Sequence, residues 1–135
     1  MTPKKLTDDL SVSPQILPSD VAQAAAMGFK SIIANRPDGE GPGQPTFSQI
    51  EQEAEAHGLV ARYIPVETSR LNEASIVDFG LALAELPKPI LAYCRSGTRS
   101  TMLWALSEAG HLPMDDILSK ASAAGYDMSG IAGRL

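Results

Sequence analysis

The stretch YCRSGTRS at residues 93–100 contains the chain's only cysteine, Cys94, with Arg95 and Arg99 beside it. An apolar run precedes this stretch and a helix-like run follows it. A loop that enters a helix presents unpaired N–H groups and the positive end of the helix dipole. Gly97 allows several amides of such a loop to turn inward. This environment favours the thiolate, which is the nucleophilic form of cysteine. We therefore predict that Cys94 is a catalytic nucleophile.

The other polar residues of this stretch predict a cradle for an anion. Arg99 offers a planar fork of donors to an oxyanion or a sulfur leaving group, and it is the second catalytic candidate. Arg95 is expected at the rim, where it would meet the substrate. The remaining candidates for substrate binding are Ser96, Gly97, Thr98 and Ser100, and the hydroxyl of the last can cap the helix or donate to the thiolate. The alternative is that Cys94 is a small hydrophobe at the end of a buried strand, which leaves the arginines unexplained.

Hydrolysis of a phosphate ester would also need a general acid, and the sequence offers candidates on two loops. Glu67 follows the apolar run LVARYIPV, whereas Asp38 and Glu40 lie in RPDGEG. Pro-Asp-Gly is a turn sequence in its own right, so Asp38 also has a structural explanation. Arg36 can pair with a carboxylate or with the substrate and is a further candidate for substrate binding. The choice between Glu67 and Asp38 as catalytic acid stays open.

Composition excludes several functional classes. The chain has 135 residues and a net charge of −5, which argues against binding to nucleic acid or to an anionic membrane. It lacks an apolar run of about 20 residues and a signal-peptide core, so we expect a cytoplasmic protein. His57 and His111 share no metal-ligand spacing with each other or with Cys94. We predict one domain over residues 1–135, with no metal and no cofactor.

Apolar runs and turn residues alternate regularly along the chain. The pattern predicts strands at 10–14, 30–35, 59–66 and 89–93. It predicts helices at 18–28, 47–58, 73–86, 100–110 and 113–125. Such alternation indicates an α/β fold in which a parallel sheet is flanked by helices on both faces. Ligands of these sheets bind beyond the carboxyl ends of the strands, where the predicted loops 36–45, 67–71 and 94–99 meet.

The pattern strand, Cys-x-x-Gly-x-Arg, helix resembles the active loops of rhodaneses and cysteine phosphatases. Together with NRPDGE, IPVE and AGYDMSG, it makes the whole chain similar to the phosphatase-like domain of beta-lactamase-hydrolase-like proteins. That family is also described as a sulfur transferase and is related in fold to dual-specificity phosphatases. The resemblance implies a dual-specificity-phosphatase-like or rhodanese-like fold. It also implies Cys94 as nucleophile, Arg99 as anion binder and the loop amides as cradle.

Two departures from the phosphatase pattern favour sulfur chemistry. Phosphatases of this superfamily place five residues between cysteine and arginine, whereas four separate Cys94 from Arg99, and Ser100 stands at the phosphatase arginine's position. Tyr93 replaces the histidine that precedes the phosphatase cysteine. We therefore predict first a sulfurtransferase that carries a persulfide on Cys94.

Two alternatives remain beside sulfur transfer. One is a phosphatase-like hydrolase, of the protein-tyrosine or dual-specificity type, that acts through a phosphocysteine. The other is a module that senses an anion or a persulfide without turnover. We expect a small sulfur- or phosphate-containing substrate as partner, and the sequence leaves homo-oligomer formation open.

Overall fold

A computed structural model describes residues 1–69 and 71–135. It contains a five-stranded sheet with the spatial order β1-β2-β5-β3-β4. The strands are β1 (Lys4–Thr7), β2 (Leu10–Ser13), β3 (Ser31–Ala34), β4 (Val60–Tyr63) and β5 (Ile90–Tyr93). The pairs β2–β5, β5–β3 and β3–β4 are parallel, whereas β1 pairs antiparallel with β2.

Five α-helices connect and follow these strands. They are α1 (Asp20–Ala26), α2 (Phe47–Ala56), α3 (Glu73–Glu85), α4 (Thr98–Glu108) and α5 (Met114–Ala123), and a 3-10 helix (Ser129–Arg134) ends the chain. Thr46 and Gln49 form a capping box at the start of α2, a local pattern that the sequence itself displays. The side chain of Asn72 accepts a hydrogen bond from the amide of Ser75 at the start of α3.

The predicted α/β fold with a parallel sheet is confirmed, and the sheet has one additional, antiparallel edge strand, β1. β1 was not predicted, because its sequence KKLT buries only Leu6 and so carries no apolar alternation. The hydroxyl of Thr7 accepts hydrogen bonds from the amides of Asp9 and Leu10, which closes the turn between β1 and β2. The predicted loop 67–71 includes position 70, which lies outside the described residues.

Each face of the sheet buries its own hydrophobic cluster. Ile90 and Ala92 of β5 face α3, α4 and α5, where Phe79, Leu103 and Trp104 are almost fully buried. Leu91 and Tyr93 face the opposite side, where they pack with residues of α1 and α2. This alternation along β5 fixes the direction in which the strand delivers Cys94 to the sheet edge.

Asn35 ties together the carboxyl ends of the parallel strands. Its amide donates to the carbonyl oxygen of Tyr93 at 2.8 Å, and its carbonyl accepts from the amide of Val66 at 3.0 Å. Its side-chain nitrogen donates to the carbonyl oxygen of Ile64 at 2.9 Å. The loops that follow β3, β4 and β5 therefore leave the sheet from one cross-linked point.

Candidate active site

Cys94 follows directly after β5 and is completely buried. The amide nitrogen of Gly97 donates a hydrogen bond to its Sγ atom at 3.0 Å. Gly97 has a φ of 93° and immediately precedes α4. This arrangement directs an N–H group and the positive end of a helix at the sulfur, and both stabilise negative charge there. The sequence prediction of a cysteine loop entering a helix agrees with this geometry.

A tyrosine from the C-terminal segment holds the cysteine loop from the other side. The hydroxyl of Tyr126 donates to the carbonyl oxygen of Ser96 at 2.9 Å. A Cβ atom added to Gly97 would overlap this hydroxyl, so the loop has room only for glycine at that position. Burial raises the pKa of Tyr126 and the nearby charge of Cys94 raises it further, which keeps the phenol protonated.

Arg99 lies in the first turn of α4, and its side chain is only 7% exposed. Its Nη1 atom donates to Glu40 Oε2 at 2.7 Å and to the carbonyl oxygen of Val66 at 2.9 Å. Its Nη2 atom donates to Glu40 Oε1 at 2.8 Å. The hydrogen bonds to Glu40 raise the pKa of Arg99, and the adjacent Cys94 sulfur contributes to the same shift. The predicted anion binder thus lies beside Cys94, and one edge of its guanidinium is paired with a carboxylate.

Glu40 lies between two guanidinium groups. Besides its contacts with Arg99, its Oε1 atom accepts from Arg36 Nε at 3.1 Å. The hydrogen bonds from Arg99, and then those from Arg36, hold the pKa of Glu40 below its usual range although burial opposes them. Arg36 also donates from Nη1 to Gln15 Oε1 at 3.2 Å. Glu40 is therefore a carboxylate at neutral pH and is not suited to be a general acid.

Ser100 faces the interior of the protein. Its hydroxyl donates to Asn35 Oδ1 at 2.8 Å, and the residue is completely buried. The sequence suggested a cap or a donor to the thiolate, but α4 begins at Thr98, so Ser100 lies inside the first turn. Arg99 donates to the carbonyl oxygen of Val66, the Val66 amide donates to the carbonyl oxygen of Asn35, and the Asn35 side chain accepts from Ser100. These hydrogen bonds fix the start of α4 relative to the loops after β3 and β4.

A cleft of about 540 Å³ lies beside the buried sulfur. It is lined by Arg36, Glu40, Thr68, Arg95, Ser96, Thr98, Arg99 and Met102. Arg95 is exposed at the rim, as predicted. The hydroxyls of Ser96 and Thr98 are hydrogen-bonded to each other at 3.0 Å. The structure thus brings the predicted substrate-binding residues Arg36, Arg95, Ser96 and Thr98 to one opening.

The two candidate acids have different surroundings. Asp38 accepts a hydrogen bond from the amide of Phe47 at 2.8 Å, while its own amide donates to the hydroxyl of Tyr63 at 2.9 Å. These contacts attach the loop after β3 to the start of α2. Glu67 is exposed and lies between Val66, which binds Arg99, and Thr68, which lines the cleft.

Tyr93 directly precedes Cys94. It is 2% exposed, and burial raises its pKa, so its phenol is neutral.

Across residues 1–69 and 71–135, no group of three or more His, Cys, Asp or Glu side chains is arranged to hold a metal ion. No helix in these same ranges is long and apolar enough to span a bilayer.

Two contacts of the site were missed by sequence reasoning. The pairing of Arg99 with Glu40 joins residues 59 positions apart, and the contact of Tyr126 with Ser96 spans 30 positions. Glu40 was considered only as a rival acid, and Tyr126 was noted only within AGYDMSG. No local spacing signals either contact, because each depends on where separate loops meet.

Comparison with known proteins supplies the family. A model of the phosphatase-like domain of beta-lactamase hydrolase-like proteins matches residues 3–111. A beta-lactamase hydrolase-like protein of Agrobacterium fabrum is 37% identical over 126 residues, which cover 92% of this chain and 29% of that protein. A protein of the same name from Xylella fastidiosa is 35% identical and is covered to the same 29%. The chain therefore spans less than one third of the length of these curated relatives.

Solved structures agree with this assignment. A Neisseria meningitidis protein described as a candidate phosphatase is 37% identical, with a TM-score of 0.87 over 97% of this chain and 94% of that one. The core catalytic domain of a PP-IP phosphatase from S. cerevisiae shares the fold at 12% identity, with a TM-score of 0.70 over 96% of this chain and 80% of that one. The chain thus belongs to the phosphatase-like domain family of beta-lactamase hydrolase-like proteins and has the fold of dual-specificity phosphatases.

Proposed function

We propose that this domain is a cysteine-dependent phosphatase-like hydrolase that acts on a small phosphate monoester through a phosphocysteine at Cys94. The observation that carries this proposal is the hydrogen bond from Gly97 to the Cys94 sulfur at the start of α4, with the Arg99 guanidinium alongside. Sequence reasoning placed sulfur transfer first. The family and the fold neighbours favour the phosphatase alternative instead.

The chemistry would follow in two steps. The Cys94 thiolate attacks phosphorus, so that a P–S bond forms and the P–O bond to the leaving group breaks. The leaving oxygen takes a proton and departs as an alcohol. Water then attacks the phosphocysteine, which releases inorganic phosphate and a proton and restores the thiolate. Amides at the start of α4 and the Arg99 guanidinium would stabilise the oxygens of the transferring group.

Glu67 is the residue we propose as general acid for the first step. It directly precedes Thr68, which lines the cleft, and it is exposed. Asp38 is the weaker candidate, because its carboxylate accepts a hydrogen bond from the amide of Phe47 and so links the loop after β3 to the start of α2. Arg95 and Arg36 would contact the non-reacting part of the substrate.

Turnover of an aryl phosphate by the wild-type domain and by Cys94→Ser tests the proposal. We expect release of phosphate by the wild type and none by the variant. Intact-mass spectrometry of a rapidly acid-quenched reaction should show one phosphoryl group on the wild type. Absence of both phosphate release and the phosphoryl adduct, across aryl and alkyl esters, would contradict the proposal.

Sulfur transfer remains a second candidate because of one specific observation. Only four residues separate Cys94 from Arg99, one fewer than in the phosphatase pattern. The terminal sulfur of a persulfide is a single atom, so it needs fewer hydrogen-bond donors than the three oxygens of a phosphoryl group. Incubation with thiosulfate or glutathione persulfide should then transfer one sulfur atom to Cys94, with release of sulfite or glutathione, respectively. A protein that gains neither sulfur nor phosphate would be the sensing module instead.

A further inference from the structure

One peptide group of the cysteine loop is hydrogen-bonded at both of its ends. The carbonyl oxygen of Ser96 accepts from the hydroxyl of Tyr126 at 2.9 Å. The amide nitrogen of Gly97, in the same peptide group, donates to the Cys94 Sγ atom at 3.0 Å. We propose that Tyr126 is a positioning residue, which keeps this N–H group directed at the sulfur by holding the carbonyl oxygen on the opposite side. The inference rests on the proposed function in one respect, namely that Cys94 reacts as a thiolate.

The planarity of the peptide group links the two hydrogen bonds. The bond between Ser96 and Gly97 is trans. In a trans peptide the C=O and N–H bonds lie in one plane and point in opposite directions. An oxygen held toward Tyr126 therefore fixes the N–H group toward Cys94. Rotation of this peptide by half a turn would break both hydrogen bonds and direct the carbonyl oxygen at the sulfur, where it would repel a thiolate.

Gly97 does not by itself favour the observed orientation. Rotation of the peptide changes the φ of this residue, which is 93° in the structure. Glycine populates positive and negative φ about equally, so it accepts either orientation of the peptide. The hydrogen bond from Tyr126 adds a preference that the glycine lacks.

Other parts of the chain hold the two neighbouring peptide groups. The carbonyl oxygen of Arg95 accepts from the amide of Gln15 at 3.2 Å. The carbonyl oxygen of Gly97 accepts from the amide of Thr101 at 3.0 Å and from its hydroxyl at 2.8 Å. Both contacts are independent of the C-terminal segment. A change of the Tyr126 hydroxyl therefore acts on the peptide group that contacts the sulfur and leaves its neighbours held.

The phenol of Tyr126 is suited to this role. Burial raises the pKa of Tyr126, and the nearby charge of Cys94 raises it further, so the phenol remains a donor at neutral pH. A hydrogen bond accepted by a carbonyl oxygen also polarises its peptide group, which makes the N–H group a stronger donor. The contact therefore both orients the Gly97 amide and strengthens its bond to the sulfur.

The charged groups near the sulfur come from other elements. Arg99 of α4 lies beside Cys94, and Glu40 of the loop after β3 pairs with that guanidinium at 2.7 Å. Arg95 follows Cys94 and is exposed. Tyr126→Phe removes one neutral hydroxyl and keeps all of these side chains. A change in the ionisation of Cys94 in this variant can therefore be assigned to the peptide group.

The pH dependence of Cys94 alkylation by iodoacetamide tests the proposal. The reagent reacts with the thiolate, so the pH at which the rate is half-maximal reports how well the site stabilises the negative charge. We expect this midpoint to rise by about 0.5–1 pH unit in Tyr126→Phe, with the maximal rate at high pH retained. Tyr63→Phe is the matched control, because the hydroxyl of Tyr63 contacts the amide of Asp38 in the loop after β3. Its midpoint should equal that of the wild type.

A second replacement and a measurement of stability keep the test decisive. A monofluorinated tyrosine at position 126 keeps the ring and donates a stronger hydrogen bond, so its midpoint should fall below that of the wild type. An unchanged midpoint in Tyr126→Phe, with only a lower melting temperature, would overturn the proposal and show that Tyr126 merely attaches the C-terminal segment. An equal shift in Tyr63→Phe would overturn it as well. Because only alkylation is measured, an absence of phosphatase turnover would refute the proposed function and leave this result intact.

Discussion

The amide of Gly97 lies 3.0 Å from the sulfur of Cys94, and the same glycine has a left-handed φ of 93° against the hydroxyl of Tyr126. Glycine therefore meets two requirements at position 97 that a residue with a side chain cannot meet together. Its backbone must turn an N–H group toward the nucleophile, and its Cα must leave room for the tyrosine that holds Ser96.

Gly97→Ala should accordingly damage both stability and activity. Backbone strain at positive φ contributes about 1–2 kcal/mol of destabilisation, and the overlap with Tyr126 adds to it. Gly28→Ala is the matched control, because Gly28 has a φ of 97° and open space around it. Thermal unfolding and aryl-phosphate turnover of both variants would be compared. Equal losses of stability in the two variants would show that the tyrosine contact is unimportant.

The ion pair of Glu40 with Arg99 should make stability depend on pH. Arg99 lowers the pKa of Glu40, so the stabilisation is complete above the ordinary glutamate pKa and is lost as the pH falls through the lowered value. We expect Glu40→Gln to lower the free energy of unfolding at pH 7 by about 1–3 kcal/mol. Denaturant unfolding should show this difference shrinking as the pH is taken well below 4. A difference that is constant with pH would rule out the charge of Glu40 as its source.

The two candidate acids can be separated by amide substitutions. Glu67→Gln should lower phosphatase kcat by about 10²–10⁴-fold on substrates with poor leaving groups, and much less on activated aryl phosphates. Asp38→Asn retains an oxygen that can accept from the Phe47 amide, so both kcat and the melting temperature should change little. Steady-state rates on a pair of esters with different leaving groups provide the comparison. The reverse result, with a large loss only in Asp38→Asn, would assign the acid to the other loop.

Anions should protect the nucleophile from alkylation. Iodoacetamide reacts with the thiolate, and sulfate bound at the start of α4 would cover the sulfur and compete with the reagent. We expect the modification rate of Cys94, followed by intact mass, to fall as sulfate is added. Chloride at the same ionic strength should have little effect. Identical rates with and without sulfate would show that no anion binds beside the sulfur.

Local patterns were enough to predict the position of Cys94 between a strand and a helix, and most of the fold. Cys94 lies between an apolar strand and a helix, and Thr46 with Gln49 forms a capping box that the structure contains. These signals act within a few residues, so the sequence displays them directly. The strand alternation also placed the three loops at one edge of the sheet.

Long-range contacts could not be predicted in this way. The role of Glu40 depends on how the loop after β3 lies over α4, and that of Tyr126 depends on how the last segment returns to the cysteine loop. β1 was missed because an edge strand with one buried side chain looks like a polar terminus. Ser100 was expected near the thiolate because the helix was predicted to start two residues late.

The hydrogen bonds of Asn35 have a consequence for protein engineering. Asn35 joins the ends of three strands and accepts a hydrogen bond from the hydroxyl of Ser100. It is completely buried and is not among the residues that line the cleft. This part of the framework around Cys94 is therefore made by side chains that lie outside the cleft. Residues such as Arg95 and Thr68, which do meet the opening, can be exchanged without redesigning that framework. Directed changes of substrate preference in this fold should start from the rim and leave Asn35 and Ser100 untouched.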